Sequence, residues 1–336
     1  MDSIGFVTET ALEDLPEALK QKAIIRAGAV ALHPIEPRDK DHREIYVGTL
    51  FASDVFKRTC KTEATNTFLK ELAGLYREIY GHAPWNEYLL CSKKGCPGKR
   101  SIADVHKLPI AQQIDLMQLE EKKGTNPNEQ RCPICGSPMV FFYPPSRILA
   151  NIKKEFNKEV VATFLLSSDG KLQGFNWGWF GDADSIAEKL RDQFRCSVDH
   201  PMISATRKYM RESGKTRTLY LCEWAVSYAY RNTIFSLLLM AHLSRLGQSR
   251  AAAWGDADPV FIGVTLDGSS ATNIYRRFGA NVIYRDPKTK VAIMTNPIER
   301  GRLQYERFQQ VLAKRLSRLG RGETNNRGRG RVGVVA

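Results

Sequence analysis

Residues 222–241 read CEWAVSYAYRNTIFSLLLMA. Together with the preceding TLYL, the apolar and aromatic run 218–227 reads as a central strand. A short polar and aromatic segment then leads to Arg231, and an apolar helix follows at once, expected over 231–247 with a stop at Gly247. A strand that turns directly into a helix exposes the helix's unpaired first N–H groups, where the helix dipole also favours negative charge. The segment therefore reads as an anion-receiving loop. Glycines normally fill such loops, and this one has none.

Working outward, EVVATFLLSSDGKLQGFNWGWFGD (159–182) reads as a hairpin about the turn Ser168–Lys171, and 183–195 as a helix. REIYVGTLF (43–51) has strand character. Phe68, Leu72, Leu75 and Ile79 recur at helical spacing over 64–80, and SRILANIKKEF (146–156) is a helix after Pro144-Pro145. Beyond the loop, PVFIGVTL (259–266) is a strand, SSATNIYRRF (269–278) a helix, and NVIYRD with KVAIMT a closing hairpin. The expected class is α/β, with a mixed, mostly antiparallel central sheet flanked by helices over residues 43–297. Residues 1–42 read as an N-terminal extension, a short acidic helix followed by a Pro-rich lead-in loop. Residues 298–319 read as an amphipathic helix, and 320–336 as a basic tail too rich in Gly, Asn and Arg to fold alone.

Seven cysteines, an odd number, speak against a disulfide framework. Four form two close pairs, Cys91/Cys96 in CSKKGC and Cys132/Cys135 in CPICG. Two pairs on facing turns give zinc its four tetrahedral ligands, and four thiolates leave no coordination position for a reacting water. The pairs therefore predict a structural zinc site in an insertion over about 88–143, with iron as the other metal that four thiolates suit. His82 and His106 are excluded as ligands. Cys222 alternates with Glu223 along the strand and is expected in the core, on the opposite face from it.

The 336 residues suffice for one large domain with insertions or two modest ones, and 43% hydrophobic with 26% charged residues is ordinary for a soluble protein. The longest apolar runs, such as FSLLLMAHL (235–243), fall short of the roughly 18–20 residues that span a bilayer, so no membrane partner is expected. MDSIGFVTETALEDLPEAL carries acids early and lacks the pattern of a secretory signal, and a cytoplasmic location is the expectation. From Arg300 onward ten Lys/Arg stand against Glu306 and Glu323, a large share of the net charge of +14. That tail is either solubilising or a nucleic-acid contact.

Four stretches in this order carry a resemblance. They are Ala83-Pro84-Trp85-Asn86-Glu87, the hairpin Ser168–Gly178, Glu223-Trp224-Ala225-Val226 through Tyr228, Tyr230 and Arg231, and Ser270-Ala271 through Tyr275-Arg276-Arg277-Phe278-Gly279-Ala280. Together they resemble the GNAT N-acyltransferase superfamily. The resemblance implies acetyl-CoA or another acyl-CoA as co-substrate, bound where two strands splay, and an amine acceptor on a small molecule, a protein or an RNA. It places the cofactor on Val226, Tyr228, Arg231, Asn232, Thr233, Ile234, Phe235 and Ser236. It also implies Tyr275 as the acid that protonates the leaving thiolate and Glu223 as the general base. The loop departs from the family pattern, with Ile234 at its first glycine and Ser236 at its second small position, and Gly268 stands where the family often has Asn. Trp85, Trp177 and Trp179 are candidates for the acceptor cleft or the core. The expected function is N-acyl transfer. The alternative is a catalytically degenerate GNAT fold whose zinc ribbon and basic tail bind nucleic acid or a nucleoprotein.

Overall fold

The structure, a computed structural model, describes residues 12–22, 31–35, 44–51, 62–82, 85, 87–109, 112–113, 130–194, 196–231, 234–256, 259–287, 289–297, 300, 303, 306–307 and 310. The basic tail and nearly all of the expected C-terminal helix lie outside the described residues.

Eight strands form the main sheet, in the order β1 (Ala31–Ile35), β2 (Ile45–Phe51), β6 (Val160–Ser167), β7 (Leu172–Gly181), β8 (Thr218–Val226), β9 (Val260–Leu266), β11 (Val291–Pro297) and β10 (Asn281–Arg285). Every neighbouring pair is antiparallel except β8 with β9. The mixed, mostly antiparallel sheet expected from the sequence is therefore present. Strand β1 falls within the stretch read as a lead-in loop; it carries Pro34, and an edge strand is where a sheet tolerates a residue without an N–H.

Helices cover both faces. Strand β6 shows why: Val160, Ala162, Phe164 and Leu166 enter one core, while Val161 and Leu165 enter the other. A strand buried on both sides reads as an unbroken apolar run, as this one does. The first core is closed by α2 (Glu63–Gly81), α4 (Pro145–Phe156), α5 (Ala183–Phe194) and α6 (Pro201–Glu212). The short helix α1 (Glu17–Lys20) adds Leu19 to it. Helix α6 is absent from the sequence reading, although Pro201 at its first position is a start signal.

The second core is closed by α7 (Ile234–Ala252) and α8 (Ser270–Arg277). The first half of helix α7 is mostly apolar because it is largely covered: Phe235, Leu238, Leu239, Met240 and Leu243 are buried. The helix runs past the expected stop at Gly247. A mid-helix glycine costs only about 1 kcal/mol, and beyond it Ala251 is buried and Arg250 reaches Glu159 through Nε at 2.7 Å. The turn at Gly255, φ +79°, ends the run instead.

Between α2 and α4 the chain builds a separate three-stranded sheet in the order β4 (Lys99–Arg100), β3 (Leu89–Cys91), β5 (Met139–Phe141). Together with the short helix α3 (Ile102–His106), it has a small core of its own around Tyr88, Leu89, Ile102 and Met139. Arg77 of α2 lies over the Phe141 ring at 4.5 Å and the Tyr88 ring at 5.7 Å, which joins this ribbon to the main body.

Candidate active site and candidate metal centre

Strands β8 and β9 pair over three positions only, Leu219 with Phe261, Tyr220 with Ile262 and Leu221 with Gly263. Beyond Leu221 the edge of β8 that faced β9 has no strand partner among the described residues. Burial records the same event. Thr218–Leu221 are buried, whereas Cys222, Glu223, Trp224 and Ala225 regain surface although helices flank both sides of the sheet. The two strands part as the sequence reading required, and Glu223 stands just past the fork.

A β-bulge decides where its carboxyl goes. Trp177 of β7 pairs with Glu223 and Gly178 with Leu221, so Cys222 is an extra residue on β8. Alternation is broken there. Cys222 packs against the first core, as Tyr220 does, and Glu223 meets α2 on that same side. The expectation that Cys222 faces away from Glu223 is thus wrong: both stand on one face, and Trp224 is the residue turned to the other.

Glu223 accepts hydrogen bonds from Tyr80 Oη to Oε2 at 2.7 Å and from Tyr76 Oη to Oε1 at 3.0 Å. The tyrosines are one helical turn apart on α2, so their rings lie together, 4.4 Å between centroids. Burial lifts the Glu223 carboxyl to about 7, and the Glu155 charge pushes the same way. The Tyr80 and Tyr76 hydrogen bonds and the Lys189 charge hold it from rising further. Glu155 is itself buried, bonded by Lys189 and by Trp177 Nε1 at 2.8 Å. The result is a carboxyl that exchanges a proton near neutrality, held by two donors.

Tyr275 stands on the opposite face, in the second core. Its ring is 5.6 Å from Trp224 and 5.9 Å from Phe261. Gly263, the last residue of β9 to pair with β8, makes room for it: a Cβ there would lie 3.3 Å from Tyr275 Cζ and 3.4 Å from its Oη. The hydroxyl thus sits at the crotch of the fork. Burial, followed by the Glu223 charge, raises its proton affinity, so it remains an O–H donor at neutral pH.

The loop residues divide. Val226 is buried against Gly174 of β7. Tyr228 opens a short 3-10 turn and is exposed. Arg231 donates from Nη2 to Ile79 O at 3.1 Å, one of the last carbonyls of α2, where a cation complements the helix dipole. Its guanidinium also lies 5.6 Å over the Tyr228 ring. Phe235 is buried and packs edge-on to Tyr230 at 5.4 Å. The Ser236 carbonyl accepts from Trp224 Nε1 at 3.1 Å. Asn232 and Thr233 lie outside the described residues, as does the side chain of Ile234, whose backbone opens α7. Of the tryptophans, Trp177 and Trp179 are core, while Trp85 is half-buried against Tyr80 at 5.4 Å.

Cys91, Cys96, Cys132 and Cys135 come together, with all four Sγ atoms within 4.8 Å of one another. The closest separations, 3.4 Å for Cys91–Cys135 and 3.7 Å for Cys96–Cys132, approach the edge of a tetrahedron with bonds of about 2.3 Å. The two turns repeat one construction. Lys93 N points to Cys91 Sγ and Ile134 N to Cys132 Sγ, both at 3.4 Å, and Gly95 and Gly136 take φ +81° and +70°. Gly98 fits nothing larger, because a Cβ there would lie 2.3 Å from Cys132 Sγ. The donor set, its spacing and this cradle fit one metal ion, and the sequence reading overlooked Gly98.

No family model matches the sequence, and no curated protein matches it either. Several solved structures are similar. A putative arylalkylamine N-acetyltransferase 7 from the yellow fever mosquito Aedes aegypti aligns over 80% of this chain and 95% of its own, at 9% identity and TM-score 0.43. An N-acyl amino acid synthase from uncultured soil microbes aligns over 46% of this chain and 77% of its own, at 12% identity and TM-score 0.33. A putative acyl-CoA N-acyltransferase from Klebsiella pneumoniae aligns over 41% and 72%, at 15% identity and TM-score 0.26. No helix among the described residues is long and apolar enough to cross a membrane.

Proposed function

We propose that this chain is an N-acyltransferase that moves an acyl group from acyl-CoA, acetyl-CoA in the simplest case, to an amine. One observation supports the reading most directly: a carboxyl held by two tyrosine donors and a buried tyrosine hydroxyl flank the fork of β8 and β9 from opposite faces. A thioester seated in the fork is then open to an amine from the Glu223 face and to a proton donor from the Tyr275 face. Glu223 takes the proton that the amine loses as its nitrogen bonds to the carbonyl carbon. The Tyr275 hydroxyl gives a proton to the sulfur as the C–S bond breaks. The amides at the start of α7 would receive the anionic end of the co-substrate. The four cysteines would hold a structural zinc that closes the ribbon and takes no part in the transfer.

Thermal-shift titration with acetyl-CoA, followed by acetyl transfer to a panel of amines, tests this. A ligand that binds the native state raises its melting temperature by mass action. Glu223→Gln and Tyr275→Phe should keep the shift and lose turnover. No shift at millimolar acetyl-CoA would overturn the reading.

A further inference from the structure

The root of the ribbon packs against Tyr76 and Tyr80 through one cross-strand pair. In the ribbon Leu89 pairs with Phe141, and Phe142 N donates to Tyr88 O at 3.0 Å, which carries the ladder one step outward. The next residues are Glu87 and Tyr143, where the ribbon leaves the main body. There the Tyr143 hydroxyl donates to Glu87 Oε2 at 2.9 Å, and Lys99 of β4 holds the other oxygen at 2.9 Å. Glu87 N also donates to Tyr80 O at 2.8 Å, tying this pair to the last turn of α2. The Tyr143 ring stands edge-on to Tyr76 at 5.1 Å and 5.8 Å from Tyr80, the two donors to Glu223.

We propose that Tyr143 and Glu87 are positioning residues for the base: the pair at the ribbon's root wedges the rings of Tyr76 and Tyr80 so that both hydroxyls stay on Glu223. This rests on the reading of Glu223 as the base. Neither residue touches the fork; they act through the two tyrosines. The ribbon is then a brace for the site, and the order of its two ends sets how firmly the carboxylate is held.

The groups facing Glu223 are Tyr76 and Tyr80 from α2, Glu155 from α4 and Lys189 from α5. Cys222 and Tyr220 from β8, Tyr275 from α8, and Tyr143 at the ribbon's root stand near its charge. Of these only Tyr143 is altered in the test, and Glu87→Leu leaves its hydroxyl in place. In 13C-carboxyl glutamate-labelled full-length protein, the Glu223 resonance is assigned by its loss in Glu223→Gln and titrated. Tyr143→Phe keeps the ring but releases it from Glu87, and Glu87→Leu removes the acceptor. Each should raise the Glu223 midpoint by about half a pH unit or more, since weakened donors stabilise the carboxylate less. Glu87→Gln keeps an acceptor for Tyr143 and should titrate with the wild type.

Melting curves report folding in each variant, and either Tyr143→Phe or Glu87→Leu suffices if the other fails to fold. A brace that served stability alone would lower the melting temperature and leave the midpoint in place. That result overturns the proposal, as does a shift in Glu87→Gln equal to that in Glu87→Leu. Because the readout is a titration, it stands apart from acyl transfer. A midpoint that moves in a protein without transferase activity would sink the functional reading and keep the brace, and the reverse pattern would do the opposite.

Discussion

The hydroxyl of Tyr80 donates to Oε2 of Glu223 at 2.7 Å across 143 positions of sequence. Removing it tests how the carboxyl is set. Tyr80→Phe takes a donor from the ionised form, so the Glu223 midpoint moves above about 7, by about one unit. The acid limb of the kcat/KM profile should move with it, and about 1 kcal/mol of stability should be lost. A limb left in place would mean that another group sets the profile.

Glu223 also ties stability to pH. Its folded value, about 7, lies above the 4.5 of a free glutamate, so the folded state binds the proton more tightly than the unfolded state does. The resulting stabilisation is full below about 4.5 and is lost as pH rises through about 7. Glu223→Gln has no such proton. Its stability relative to the wild type should therefore climb between pH 4.5 and 7, by up to about 3 kcal/mol. Denaturant unfolding of both proteins across that range measures the difference. Glu78, also lifted to about 7 by burial, contributes equally to both and cancels.

Tyr275→Phe should cut turnover by about 10²-fold or more while leaving the melting temperature nearly unchanged. Gly263→Ala approaches the same hydroxyl from the other side. Its new methyl would stand 3.4 Å from Tyr275 Oη, tight enough to move the hydroxyl by a few tenths of an ångström. It should reduce turnover with acetyl-CoA affinity kept, which steady-state kinetics would separate.

Gly98→Ala should empty the metal centre with all four cysteines intact, because its methyl and Cys132 Sγ cannot share the space. Metal analysis of purified protein is the measurement: one ion per wild-type chain, less than one in the variant. Chelation of the wild type should loosen the ribbon first, since a core as small as that around Tyr88, Leu89 and Met139 would lean on a bound metal for its stability. Proteolysis within 88–143 ahead of the main sheet would show this.

Most of the sheet was legible because its signals are local. The unbroken apolar run of β6, the turn at Gly170 and the paired cysteines each lie within a few residues. Gly247 reads as a stop for α7, and only tertiary burial outweighs that preference. The resemblance points to Glu223 and Tyr275, but what tunes Glu223 is not visible in it. Tyr76, Tyr80 and Glu155 reach it through the fold, and no spacing within the chain brings them together. Arg231 was recognised as a loop residue; its bond to Ile79 O needs the end of α2 beside the loop.

The bulge at Cys222 turns the face on which Glu223 lies into a matter of parity. One extra residue between Leu221 and Glu223 sets which of two adjacent side chains, carboxylate or indole, looks toward the tyrosine pair. If β7 and β8 were zipped one-to-one through this point, Trp224 would meet Tyr76 and Tyr80, and Glu223 would meet Tyr275, with no residue changed. What the fork presents on each face is therefore encoded as much in a count of residues as in their identities.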